Sequence, residues 1–238
     1  MFSALFSASA QSVRFAVVTD PHVGREGAGG RLREALRSID SVTRPQFVLL
    51  LGDISDNGAP EGYAEAAEIL SGLATPYYIT TGNHDAKAPE RYERFRRTFG
   101  RGYFTFEAGG LRFIGLPTGP SEPNRHATLS DDDAALLAGA CRGGMPVVVA
   151  AHHTPDLIAR SEKIFSAVDT GRIVLWLAGH IHLNGVQQTV PGPSAVSVSS
   201  LDGGRYNIVE IDGDSLRITV VSPRTGEQEC WYETKINR

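Results

Sequence analysis

The chain has 238 residues, 41% of them hydrophobic, which suits one α/β domain with a sizeable core better than two small domains. A formal net charge of -4 argues against a broad basic surface, so we expect no binding of extended nucleic acid. Only two cysteines are present and no apolar run reaches the roughly 18 residues of a membrane span, so we expect a cytoplasmic protein without membrane contact.

Residues 1–12 are predicted to be a flexible leader. They include Ala8-Ser9-Ala10 but lack the basic segment and the long apolar stretch of a secretory signal. No internal repeat, low-complexity tract or Pro-rich linker marks a boundary further along the chain. We therefore expect residues 13–238 to form a single domain.

Five short apolar runs rich in β-branched residues are predicted to be buried strands of one sheet. They span residues 13–18, 47–51, 77–80, 147–151 and 173–178. Helix-like segments are interspersed with them, at 31–41, 61–73, 89–99, 130–141 and 155–168. Strands that alternate with helices predict the α/β class.

Two other regions have strand-like alternation and tight turns in place of helices. Segments 103–107 and 111–115 flank a short Gly-rich turn and predict a hairpin. Segments 195–199, 205–211 and 216–221 are also predicted strands, the last two joined at Asp212-Gly213-Asp214. We expect these strands to be antiparallel.

Each of the five buried runs is followed by residues that can bind metal. These residues are Asp20, His22, Asp53, Asn83, His152, His180 and His182. Because ligands of open α/β sheets bind beyond the carboxyl ends of the strands, the five loops are expected to converge on one site. Oxygen and imidazole donors without thiolate suit zinc, manganese or iron. Seven ligands hold two ions if one carboxylate bridges, and Asp53 is the candidate bridge.

Each of these residues alone is consistent with an ordinary turn. It is their occurrence together, after five successive buried runs, that indicates a metal centre. His153 is left open between lining the site and packing structurally, because adjacent side chains in an extended segment point apart. Acidic residues at 131–133 are assigned to the first turn of a helix, where they complement its dipole. His126 is assigned to a solvated loop, with contact to the substrate as the alternative.

Five motifs follow one another in a fixed order: Asp20-x-His22, Gly52-Asp53, Gly82-Asn83-His84-Asp85, His152 and Gly179-His180-x-His182. Together they resemble the calcineurin-like metallophosphoesterase family, over roughly residues 13–185. The resemblance implies a four-layer α/β/β/α sandwich with mixed sheets. It also implies that His84 faces the substrate, with Asp85 as its orienting partner.

The same resemblance implies which residues hold each ion. One ion would be held by Asp20, His22, Asp53 and His182, and the other by Asp53, Asn83, His152 and His180. Two divalent ions bring four positive charges, whereas the two aspartates and one hydroxide return three, so the centre stays positive and attracts phosphate. Metal-bound hydroxide is the expected nucleophile at neutral pH.

The expected function is therefore hydrolysis of a small phosphate ester with two manganese, iron or zinc ions. Thr19-Asp20-Pro21-His22, the 152–155 segment and the Gly-rich tail resemble bacterial class III cyclic-nucleotide and glycerophosphodiester phosphodiesterases, which favours a small phosphodiester. Asp53-Ile54-Ser55-Asp56 lacks the tyrosine of purple acid phosphatases.

A phosphomonoesterase, a nuclease of the same superfamily and a non-catalytic protein-binding scaffold are the alternatives. The oligomeric state is left open.

Overall fold

The computed structural model describes residues 12–87, 92–120, 127–188 and 193–237. Residues 1–11 of the predicted leader, the start of the predicted helix at 89–99 and His126 lie outside these ranges. The described strands are β1 (Val13–Val18), β2 (Val48–Leu51), β3 (Tyr77–Thr80), β4 (Phe104–Ala108), β5 (Leu111–Leu116), β6 (Gly119–Pro120), β7 (Ala127–Thr128), β8 (Val147–Ala151), β9 (Ile173–Ala178), β10 (Gly185–Gln187), β11 (Ala195–Ser197), β12 (Tyr206–Asp212), β13 (Ser215–Val221) and β14 (Gln228–Lys235). The described α-helices are α1 (Ala28–Ser38), α2 (Pro60–Ser71), α3 (Glu93–Phe99), α4 (Asp131–Ala140) and α5 (Ser161–Ser166).

Two six-stranded mixed sheets contain most of these strands. The first has the order β14-β13-β12-β1-β2-β3, and the second has the order β10-β11-β9-β8-β5-β4. In the first sheet β1, β2 and β3 are parallel, and β12 to β14 extend it with antiparallel pairs. In the second sheet β5, β8, β9 and β11 are parallel, and the hairpin partner β4 and the edge strand β10 are antiparallel.

Alternating side chains place the sheets face to face. In β1, Phe15 and Val17 enter a core shared with Phe113 and Val148 of the second sheet. Their neighbours Ala16 and Val18 face the opposite side and pack with residues of α1 and α2. Because successive side chains point to opposite faces of the strand, β1 contributes to two different hydrophobic cores.

The second sheet is covered in the same way by helices on its outer face. Its residues Val149 and Trp176 pack with Leu137 of α4 and Phe165 of α5. Helix α4 begins at Asp131 and is capped by Ser130, whose Oγ accepts a hydrogen bond from the main-chain N–H of Asp133 at 3.1 Å. The layers are therefore helix, sheet, sheet and helix, which confirms the predicted sandwich.

All five buried runs form strands, but the prediction that they share one sheet is wrong. β1, β2 and β3 lie in the first sheet, whereas β8 and β9 lie in the second. The reason is the hairpin of β4 and β5, because β5 pairs in parallel with β8 and draws it into the second sheet. Both predicted hairpins, β4 with β5 and β12 with β13, are confirmed. The expectation that segment 195–199 is antiparallel is wrong for the pairing of β11 with β9, which is parallel, and right for its pairing with β10.

The predicted helix at 155–168 is wrong in extent. A 3-10 turn at Pro155–Leu157 is separated from α5 by a kink, where Arg160 has a φ of 58°. The main-chain N–H of Ala159 donates to the carbonyl of Ala127 at 2.8 Å, which ties this segment to β7 instead of to a helical partner. Among the described helices, none combines the length and the apolar composition that a membrane span requires.

Candidate metal centre

The loops that follow β1, β2, β3, β8 and β9 meet at one end of the sandwich. Four groups of three side chains each offer ligand atoms within 4.8 Å of one another. The groups are Asp20, His22 and His182; Asp20, Asp53 and His152; His22, Asp53 and His84; and His152, His153 and His180. The seven residues predicted as ligands are therefore brought together, with Asn83 joined to them through His152.

Two glycines allow these loops to approach closely. A Cβ on Gly82 would overlap Oδ1 and the main-chain nitrogen of Asp53, and a Cβ on Gly179 would overlap Oγ1 of Thr19. Only a residue without a side chain therefore fits at either position.

Strained backbone is concentrated at the same place. Among the described non-glycine residues with positive φ, five are predicted ligands: Asp20, His22, Asp53, His180 and His182. Non-glycine residues seldom adopt this conformation, and each instance costs of the order of 1–3 kcal/mol. Such strain is common at binding and catalytic sites, where it aims side chains at a shared point.

Asp20, His22 and His182 form the first half of the centre. Nε2 of His182 lies 3.2 Å from Oδ1 of Asp20 and 3.4 Å from Nε2 of His22. The other oxygen of Asp20, Oδ2, accepts hydrogen bonds from Oγ1 of Thr19 at 2.6 Å and from the main-chain N–H of His180 at 3.1 Å. The carboxylate is thus fixed through one oxygen, and the other oxygen faces the imidazoles.

Asp53 lies between this half and the second. Its Oδ2 is 3.8 Å from Nε2 of His22 and 3.3 Å from Nε2 of His152. Nε2 of His152 is also 3.1 Å from Oδ1 of Asn83, and its Nδ1 lies 2.7 Å from the carbonyl of Leu51. Asp53 therefore has the position expected of a bridge between two ions.

His84 is oriented by Asp56, which corrects the expected role of Asp85. Nδ1 of His84 lies 2.6 Å from the main-chain carbonyl of Asp56 and 3.1 Å from its Oδ1. The carboxylate of Asp85 is buried and accepts main-chain hydrogen bonds from Gly82, Ile54 and Ser55 at 2.9 to 3.3 Å. Asp85 therefore braces the loops that carry Asp53 and Asn83, and it does not orient the imidazole.

His153 packs against the centre instead of pointing away from it. It is 1% exposed, and its ring centroid lies 4.5 Å from that of His180 and 4.7 Å from that of His152. Nδ1 of His153 is 3.1 Å from Oγ1 of Thr118. Its burial beside two predicted ligands gives it a supporting position that the sequence left open.

The electrostatics keep the ligand groups ready for a cation. Burial lowers the pKa values of His22 and His180 to about 4, so both imidazoles are neutral and have free lone pairs at neutral pH. Burial alone would raise the pKa of Asp53, but the nearby His152, His84 and His22 hold it well below its ordinary value. The carboxylate is therefore ionised.

The pKa of His152 also shows that the centre favours a positive charge. Burial alone would lower its pKa, but Asp53 and Asp20 outweigh this effect and raise the pKa to about 10. Two buried carboxylates thus favour a positive charge between them, which is what a bound cation supplies. Oδ1 of Asp20 also accepts no hydrogen bond although it is buried. A buried carboxylate oxygen that faces imidazoles without accepting a hydrogen bond fits a metal ligand.

The chain also resembles known proteins in sequence and in fold. The family model described as calcineurin-like phosphoesterase matches residues 13–184. A 3',5'-cyclic-nucleotide phosphodiesterase of Nostoc sp. is 29% identical over 58% of this chain, and a probable cyclic nucleotide phosphodiesterase of Rhodococcus erythropolis is 27% identical over 90% of it. The alignments cover 57% and 76% of these relatives, so the chain spans little over half of the first. The structure of a dimetal phosphatase from Danio rerio, 15% identical, superposes with a TM-score of 0.68 over 92% of this chain and 98% of that one.

Proposed function

The chain belongs to the calcineurin-like phosphoesterase family, and we propose that it is a hydrolase of small phosphodiesters that uses two divalent metal ions. The observation that carries this proposal is the meeting of four overlapping ligand groups, two of which contain Asp53. The two relatives described above, named as cyclic-nucleotide phosphodiesterases, support the substrate class.

We assign one ion to Asp20, His22, Asp53 and His182, and the other to Asp53, Asn83, His152 and His180. Imidazole, carboxylate and amide donors suit manganese, iron or zinc. Bound ions of this kind would lower the pKa of a water to about 7 and polarise the phosphoryl group. Asp20 and Asp53 together supply two negative charges, so a centre with two divalent ions keeps a net positive charge that attracts phosphate.

His84 is the residue we assign to the substrate. In the tautomer that carries hydrogen on Nδ1, this nitrogen donates to the carbonyl of Asp56, since a carbonyl can only accept, and the bond orients the ring. Nε2 then faces the centre and lies 4.0 Å from Oδ2 of Asp53. In the protonated ring Nε2 also carries a hydrogen, which it can donate to a phosphoryl oxygen or transfer to the leaving alkoxide.

The test is hydrolysis of bis(p-nitrophenyl) phosphate by protein loaded with Mn²⁺ or Zn²⁺. We expect turnover that depends on metal and is abolished by a chelator. p-Nitrophenyl phosphate and glycerophosphodiesters, assayed in parallel, define the preferred ester. A metal-loaded protein that cleaves none of these esters would contradict the proposal and favour the non-catalytic scaffold.

One observation favours a phosphomonoesterase as the second candidate. Nζ of Lys87 lies 2.9 Å from Nε2 of His84, so an ammonium group stands next to the residue assigned to the substrate. A monoester carries up to one more negative charge than a diester near neutral pH, and an additional cation would favour it. If Lys87→Met raises KM for p-nitrophenyl phosphate and leaves KM for the diester unchanged, the monoester is the favoured substrate.

A further inference from the structure

Packing constrains His182 less than it constrains the predicted ligands His22 and His152. Its side chain is 33% exposed, whereas those of His22 and His152 are 1% and 0% exposed. It also has a positive φ, of 61°, on the loop after β9. Burial cannot fix the orientation of this imidazole, so another interaction has to do so.

Asp202 faces the outer nitrogen of this imidazole. Nδ1 of His182 lies 4.0 Å from Oδ2 of Asp202, while Nε2, on the other side of the ring, faces Oδ1 of Asp20 at 3.2 Å. This distance is within ion-pair range but too long for a hydrogen bond, so the carboxylate acts on Nδ1 through its negative charge. A carboxylate behind the outer nitrogen of a ligand histidine selects the tautomer whose inner nitrogen has a free lone pair.

Two arginines hold the carboxylate of Asp202 in place. Nη1 of Arg25 lies 2.9 Å from its Oδ2, and Nη2 of Arg31 lies 3.0 Å from its Oδ1. Each carboxylate oxygen therefore has its own guanidinium partner, a charge-assisted pairing that restricts the carboxylate to one orientation. Arg25 also binds Oδ1 of Asp56 through Nε at 2.7 Å, so one guanidinium joins the carboxylate beside His84 to the one beside His182.

The backbone next to Asp202 is anchored to the loop that carries Asp20. The main-chain N–H of Leu201 donates to the carbonyl of Thr19 at 2.9 Å, and the side chain of Leu201 is fully buried. The carboxylate of Asp202 thus has a fixed place relative to Asp20 although the two residues are far apart in the sequence.

We propose that Asp202, held by Arg25 and Arg31, is a positioning residue that orients His182 toward the ion it shares with Asp20. The inference rests on the metal centre of the proposed function. It concerns one ion only, because Nδ1 of His152 in the other half is backed by the neutral carbonyl of Leu51. Loss of Asp202 therefore weakens one of the two ions selectively.

The test is a titration of the metal-free protein with Co²⁺, followed by the visible absorption of the bound ion and by competition with a chelator. The variants are Asp202→Asn and, as matched control, Glu210→Gln. Glu210 also pairs with an arginine, Arg14, at 3.0 Å, and lies on β12 away from the centre. Circular dichroism checks that each variant is folded.

We expect Asp202→Asn to lower the affinity for one Co²⁺ about 10- to 100-fold and to change its absorption spectrum, with the second ion unaffected. Glu210→Gln is expected to bind both ions as the original chain does. Arg31→Gln leaves the carboxylate in place and provides a second variant, with a smaller loss expected at the same ion.

Unchanged affinity in Asp202→Asn would overturn the positioning role and leave the proposed function standing. An equal loss at both ions would overturn it as well, since that result marks a general disturbance of the fold. An original chain that binds no Co²⁺ would instead refute the metal centre itself, and the proposed function with it.

Discussion

The imidazole of His84 is held by Asp56, whose main-chain carbonyl lies 2.6 Å and whose Oδ1 lies 3.1 Å from Nδ1. This pair aims Nε2 of His84 at the centre without making His84 a ligand in our assignment. Oδ1 of Asp56 also lies 3.3 Å from Nδ1 of the predicted ligand His22, so removal of His84 itself, and not of Asp56, separates the substrate-facing group from the metal ligands.

His84→Ala is expected to lower kcat for bis(p-nitrophenyl) phosphate by about 10²- to 10⁴-fold while the protein keeps its metals. The reason is loss of a hydrogen-bond or proton donor with no loss of a ligand. Steady-state kinetics and metal analysis of the same sample test it. Parallel loss of metal and activity would show that His84 acts as a ligand.

Asp56→Asn is expected to have a smaller effect on kcat, because the main-chain carbonyl still holds Nδ1. Asp169→Asn is the matched control, since Asp169 is also paired with an arginine, Arg172 at 3.5 Å, but lies away from the centre. If both variants have the kcat of the original chain, the carboxylate of Asp56 plays no part in orienting His84.

Gly82→Ala is expected to destabilise the fold by about 1–3 kcal/mol and to weaken metal binding, because the new Cβ would overlap Asp53 and force its loop to move. Gly30→Ala is the matched control. Gly30 lies in α1 and has open space where a Cβ would stand, so the same change is expected to stabilise the fold by about 0.5–1 kcal/mol. Urea unfolding measures both, and a Gly82→Ala variant as stable as the original chain would contradict the close approach.

Asp40 gives a pH-dependent prediction away from the centre. Partial burial would raise its pKa, but hydrogen bonds from Ala74 and Thr75, at 2.7 to 3.0 Å, outweigh burial and hold the pKa below its ordinary value of 3.8. Because Asp40 is largely accessible to solvent, Asp40→Ala is expected to cost only about 0.5–1.5 kcal/mol near neutral pH. Because the depressed pKa stabilises the folded state only while the carboxylate is ionised, this difference shrinks as the pH falls below 3.8 and through the folded pKa.

Unfolding free energies of the original chain and Asp40→Ala across this pH range check the sign. A difference that stays constant or grows toward low pH would show that the ionised carboxylate is not the stabilising form.

The ends of the strands were predictable because each buried apolar run is followed by polar residues, which mark where the strand leaves the hydrophobic core. Asp20, Asp53 and His152 each follow such a run directly or within two residues. The division into two sheets was not predictable from the runs themselves, because β2 and β8 are equally apolar and only the pairing of β5 with β8 separates them. β14 was missed because most of its residues are exposed and it has no apolar run.

Partners outside the motifs were harder to predict. Asp56 lies only three residues after the predicted ligand Asp53. This closeness in the sequence is a signal that could have identified Asp56 as the partner of His84. Asp202 has no such signal, because it reaches His182 through a turn whose place depends on the main-chain bond between Leu201 and Thr19. Contacts of this kind follow from tertiary packing and not from local pattern.

The most direct test of the two-ion centre is the metal content of Asp53→Ala, measured by inductively coupled plasma mass spectrometry beside the original chain and Asp132→Ala. Asp132 belongs to the first turn of α4 and serves as the acidic control. We predict two ions per chain in the original protein and in Asp132→Ala, and loss of both in Asp53→Ala, because its carboxylate serves both ions. Two ions retained in Asp53→Ala would contradict the bridge.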